Sequence, residues 1–190
     1  MVRVDVRSQN SLAKLLAAVV FGVLISGGYC FGQKPMAADP WHDFRFLMGA
    51  WETDSGVANS GAGTFSLIPD IQNHVLVRRN HAEYPAVAGR QASVHDDLMI
   101  IYVDPVSGYK VHYYDSEGHT IDYAVEVSAT KDTLTFVSAA SETMPRFKLT
   151  YVNKVAGKVG IVFAIAPAGH PDDFSTYLQG SVHRKKPEER

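Results

Sequence analysis

Eight histidines stand among twenty acidic side chains in this 190-residue chain, so three chemistries have to be weighed: metal ligation, acid–base catalysis and nucleophilic attack. A zinc-binding helix places two histidines four residues apart beside an acid, and no pair here has that spacing on a helical segment. On strands, ligands would be two residues apart or cross-strand neighbours. His119 with Asp115 is the best such pair, and a plain hydrogen bond at a hairpin end accounts for it; no metal is assigned. Nucleophilic catalysis has little to work with. The single cysteine, Cys30, lies in the N-terminal leader, and no G-x-S-x-G elbow is present. If a reaction takes place at all, His119 and His81 are the candidate general bases.

A second set of residues suits binding rather than catalysis. Between His74 and Tyr84 the chain alternates Val75, Val77, Arg79, His81 and Glu83 against His74, Leu76, Arg78, Asn80 and Ala82. Neither set is cleanly apolar. One charged residue, Arg78 being the candidate, could therefore point inward as an anchor for a ligand head group; the alternative is surface ion pairing of Arg78 and Arg79. Aromatic residues concentrate on the expected inner faces at Tyr109, Tyr113, Tyr123, Phe136, Phe147, Tyr151 and Phe163. Most of these would be core.

Strands must position these groups, because nearly every segment has strand composition bounded by turn residues. The expected strands are roughly 50 to 57, 62 to 68, 74 to 84, 97 to 104, 109 to 115, 119 to 127, 133 to 138, 146 to 154, 158 to 166 and 174 to 184. Asp104-Pro105-Val106-Ser107-Gly108, Ser116-Glu117-Gly118 and Ala156-Gly157-Lys158 supply the turn chemistry. A sheet of this length removes its exposed edges by closing. The fold class expected is all-β, a closed antiparallel up-and-down barrel of about ten strands. A short apolar helix over Asp43 to Met48 precedes it and ends at Gly49-Ala50-Trp51.

Register can be tested on one hairpin. If Ser116-Glu117-Gly118 is a three-residue loop, Tyr113 faces Ile121 and Val111 faces Tyr123, which gathers Val111, Tyr113, Ile121, Tyr123 and Val125 on the inner face. His112 then lies outside beside Asp122.

The first 32 residues read as an export signal, with Arg3, Arg7 and Lys14 before an apolar run from Leu15 to Ile25 and small residues after it. That run is short for a membrane span, so no stable span is expected once the signal is removed. A spacer over 33–40, a barrel domain over 41–186 and a tail over 187–190 complete the expected layout. The product would be periplasmic or secreted and, cut after Gly32, free of thiols. Whole-chain charge is −2 and becomes about −4 without the leader's Arg3, Arg7, Lys14 and Asp5, which argues against nucleic acid as a partner.

Phe46-Leu47-Met48-Gly49-Ala50-Trp51, Tyr102-Val103-Asp104-Pro105-Val106-Ser107-Gly108-Tyr109 and Tyr114-Asp115-Ser116-Glu117-Gly118 together resemble a family of uncharacterised bacterial lipocalin-like (calycin) barrels. That family's pattern is L-x-G-x-W, then Y-D-P-x-x-G-x-Y, then an aromatic-D-x-x-G turn. The resemblance covers most of the chain after the leader and concerns turns and a plug, so it implies fold more than function. A more distant similarity is to nitrobindin-type haem barrels, whose last strand carries a haem-ligating histidine in H-L-x-A-x-L-x-R. The matching stretch here is Tyr177-Leu178-Gln179-Gly180-Ser181-Val182-His183-Arg184, which has tyrosine at the ligand position. Haem is therefore a cofactor the resemblance raises and the substitution calls into question.

The leading expectation is an exported barrel that holds a small, mostly apolar molecule inside, with contacts from Tyr113, Tyr123, Phe163, Tyr177 and Arg78. Two alternatives stand beside it. One is an enzyme acting on a small reactive molecule in the same cavity; the other is a structural or interaction module with a filled core.

Overall fold

The computed structural model describes residues 39–54, 61–89 and 91–186. The expected export signal, most of the spacer and the tail lie outside these residues. The described chain forms ten antiparallel strands: β1 (Gly49–Thr53), β2 (Ala62–Asp70), β3 (Val75–Tyr84), β4 (Ser93–Asp104), β5 (Gly108–Asp115), β6 (Thr120–Val127), β7 (Thr133–Ser138), β8 (Arg146–Lys154), β9 (Lys158–Ala166) and β10 (Ser175–Arg184). Each pairs with its sequence neighbour, and β10 returns to β1, closing the barrel.

The expected N-terminal helix is corrected to a 3-10 turn, His42–Phe44. The six residues from Asp43 to Met48 are too few to offset the cost of nucleating an α-helix. Gly49 also turns the chain abruptly with φ +113°, and a Cβ there would collide with the Arg184 guanidinium. That guanidinium lies 4.2 Å over the Trp51 ring and donates to the carbonyls of Phe46 and Met48. The glycine and the tryptophan thus belong to one device that joins the turn to the barrel.

The turn plugs one end. Trp41, Phe44 and Leu47 are fully buried, Phe44 meets Tyr109 edge-on at 4.9 Å, and the Trp41 indole donates to the Asn73 carbonyl at 3.0 Å. The Tyr109 hydroxyl donates to the Pro40 carbonyl at 2.8 Å. Each polar tip on these large rings finds a backbone acceptor, so the rings can be buried without leaving an unpaired donor.

The β5–β6 register follows the hairpin argument, with Tyr113 opposite Ile121, His112 opposite Asp122 and Val111 opposite Tyr123. Val111, Tyr113 and Tyr123 are buried, and Ile121 and Val125 pack against them. His112 lies outside, 2.5 Å from Asp122. Gly118, at φ +91°, takes the left-handed position that a three-residue hairpin loop requires.

Candidate functional site

Burial along the inner faces falls off toward the end opposite the plug. On β8 it runs from fully buried Tyr151 through Leu149 to half-buried Phe147. Side chains that share one face of a strand alternate with period two, so this gradient describes an inner surface that opens to solvent. Phe147 and Phe163 stack at 6.1 Å on the open side. Gly180 occupies an inner position of β10, opposite Ile161 and two residues from buried Val182. A Cβ at Gly180 would meet no atom within 4 Å, so the wall beside Ile161 borders open space.

Across the barrel the inner face is polar. Arg78 points inward from β3, only 6% exposed, and donates to Asp97 of β4. Arg79, its neighbour, stays exposed outside, so the choice between anchor and surface pair is decided by strand phase: Leu76, Arg78, Asn80 and Ala82 face in. The guanidinium lies 5.2 Å from the Phe65 ring centre and 5.9 Å from that of Tyr151. Such faces attract a cation through the ring quadrupole. Its Nε and the Tyr151 hydroxyl are both buried without a hydrogen-bond partner.

His95 reaches the second Asp97 oxygen through Nε2 at 3.3 Å and Glu117 through Nδ1 at 2.8 Å. The hydrogen bond to Asp97, with help from Glu117 and against the opposing effect of burial, raises its pKa to about 9. His95 is therefore a cation at neutral pH. Tyr113 extends the cluster, its hydroxyl 3.3 Å from both His95 Nε2 and Asp115 Oδ2. Burial foremost, with Asp97 and Asp115 nearby, pushes its ionisation well above the usual phenol range. Tyr123 is shifted the same way by burial, and Tyr151 to about 12. All three phenols remain neutral donors.

The general-base candidates fall in different places. His119 sits at the rim, bonded through Nδ1 to Asp115 at 2.8 Å. His81 is on the outer face of β3, between Asp96 at 2.7 Å and Glu83 at 3.2 Å, and does not face the interior. Among the contact candidates, Tyr113, Tyr123 and Phe163 join Arg78 on the inner face. Tyr177 is the extra residue at a register shift between Thr176 and Leu178, 74% exposed, with its ring edge-on to Phe163 at 6.1 Å. It belongs to the mouth rather than the interior.

Two residues of this cluster, His95 and Asp97, escape the sequence reading. Its strand began at 97, whereas β4 begins at Ser93. The alternation His95, Asp97, Met99, Ile101 was the available signal, hidden because its first two members are polar.

Asp115, Glu117 and His119 offer ligand atoms within 4.8 Å of one another. His119 is held by Asp115 and Glu117 by His95, so hydrogen bonding already accounts for the cluster. Haem does not fit these residues. An axial Tyr177 would stand in solvent on a bulge. A further groove of about 690 Å³ lies on the outer face of β1–β5, around Ser66, Arg79, Leu98 and Tyr114.

No protein-family model matches the chain, and no curated protein matches it in sequence. The closed ten-strand antiparallel barrel is consistent with a lipocalin-like fold. Among the described residues no helix is long and apolar enough to cross a membrane.

Proposed function

We propose that this protein binds a small, mostly apolar molecule inside its barrel, entered from the end opposite the plug. The observation that carries this reading is the combination of an inner wall facing open space at Gly180 with partly exposed Phe147 and Phe163 on one side and the Arg78 cluster on the other. Apolar surface left facing an opening is a source of affinity, since each buried methylene contributes about 0.8 kcal/mol. Fixed polar groups set orientation. The N-terminal sequence supports export as part of the same proposal, with the carrier working in the periplasm or outside the cell.

The test is native mass spectrometry of the mature protein purified gently from its own host, compared with the denatured mass. A reproducible non-covalent adduct that exchanges with added Nile red supports a carrier. No adduct, and no Nile red binding after incubation with lipid extract, refutes it. The denatured mass also gives the N-terminus: a mass lacking about the first 32 residues accords with export, and an intact leader contradicts it.

A further inference from the structure

Among the described residues, the ionisable side chains on the inner face toward the mouth are Arg78, His95, Asp97 and Asp115. Their positions tie them into one cluster: Asp97 accepts from Arg78 and lies 3.3 Å from His95, and Tyr113 links His95 to Asp115. Two are bases and two are acids, and at the rim Glu117 pairs with His95 and His119 with Asp115. The guanidinium and the Asp97 carboxylate are each less than a tenth exposed, as is the Asp115 carboxylate. A charged ligand entering such a site brings an uncompensated charge into low dielectric, where isolated charges are costly. A neutral head group brings none.

Building on the carrier reading, we infer that the ligand is a neutral amphiphile with an apolar body and an oxygen-bearing head, such as an alcohol, ester or ketone, and that the site discriminates against carboxylates. Three features act together. Each inner charge already has a partner before any ligand arrives, Asp97 for Arg78, Asp97 and Glu117 for His95, and His119 for Asp115. The apolar body has Phe147, Phe163 and Ile161 to lie against. The Tyr113 hydroxyl is already committed to Asp115, whereas the neutral phenol of Tyr123 can donate to an ester or alcohol oxygen without a proton changing hands.

The experiment is displacement of Nile red, itself uncharged, from the full mature protein at neutral pH by 1-decanol, methyl decanoate and decanoate. These share one chain and differ at the head; only the last is ionised. The inference expects 1-decanol and methyl decanoate to displace the dye at concentrations at least tenfold below decanoate. Decanoate equal to or better than the neutral pair overturns the inference while leaving the carrier reading intact. Failure to bind Nile red at all overturns the carrier reading and the inference together.

Asp97→Asn adds a second reading, because it removes one negative charge at nearly constant shape and leaves the Arg78 guanidinium without its carboxylate partner. The decanoate-to-decanol concentration ratio should then fall by tenfold or more. A folded variant with an unchanged ratio also overturns the inference. If the variant does not fold, the wild-type comparison decides the matter alone.

Discussion

Arg78 and Asp97 place a charge pair where a barrel of this size would otherwise carry two aliphatic side chains. Leaving one member behind is costly: removing one partner of a buried pair destabilises by about 3–5 kcal/mol, whereas a well-packed apolar replacement of both is often neutral. Arg78→Met should therefore cost about 3 kcal/mol, the low end applying because His95 still faces Asp97. Arg78→Met with Asp97→Leu should recover most of it. Urea denaturation of the single and double variants checks this, and a double variant no better than the single would show that the pair is not coupled. Gly180 supports the opposite experiment. Its backbone is not in the left-handed region and its Cβ position is open, so Gly180→Leu should fold with an unchanged or higher Tm while weakening Nile red binding at least tenfold. Unimpaired binding in that variant would remove the wall beside Ile161 from the site. Arg78 could be singled out in the sequence because neither face of the segment from His74 to Tyr84 is cleanly apolar. His95 and Asp97 could not, since polar residues on an inner face look the same as polar residues on an outer one until neighbouring strands fix the phase.

The junction of β1 with β10 is the weak element of the barrel, with only three aligned residue pairs from Trp51–Arg184 to Thr53–Val182. A polar staple on its outer side reinforces it. Asp54 accepts from Ser181 Oγ at 2.7 Å and from Lys158 Nζ at 2.9 Å, and lies 2.8 Å from His183 Nδ1. The hydrogen bond from Ser181, then those from Lys158 and His183, lowers the Asp54 pKa to about 2. A carboxylate depressed in the folded state contributes stability above its unfolded value of 3.8, and that contribution disappears as pH falls through about 2. Asp54→Asn should thus lower the Tm at neutral pH, and the gap from wild type should close between about pH 4 and pH 2. A gap independent of pH in melts across that range would show that the charge of Asp54 plays no part. At this scale the sequence was informative for specific reasons. Turn residues and a clean inner–outer separation mark the β5–β6 hairpin, whereas the sequence marks β4 only from Asp97 because Ser93-Val94-His95-Asp96 lacks apolar alternation. The six-residue apolar run before Gly49 has the composition of a helix but not its length, and it folds as a 3-10 turn because tertiary packing of Trp41, Phe44 and Leu47 replaces the hydrogen bonds of a longer helix.

Closure is what turns ten hairpin-linked strands into a molecule with an inside. Every strand from β1 to β9 is paired to its successor by a local connection, and only β10 with β1 joins the two ends of the sequence. An open nine-strand sheet would still have its hairpins, but β1 and β9 would present unpaired edges, which template association with other chains. It would also lose Val182 from the core and the Arg184 guanidinium from above Trp51. A chain ending before Ser175 should therefore emerge earlier than the full protein in size-exclusion chromatography and bind Nile red without displacement by 1-decanol, as dye on a sticky edge would. A truncated chain that elutes as expected for its mass, melts cooperatively and releases the dye to 1-decanol would locate the binding surface on β1–β9 alone. Gly180 and Leu178 would then be spectators, and the chamber would be a cleft in an open sheet rather than the interior of a barrel.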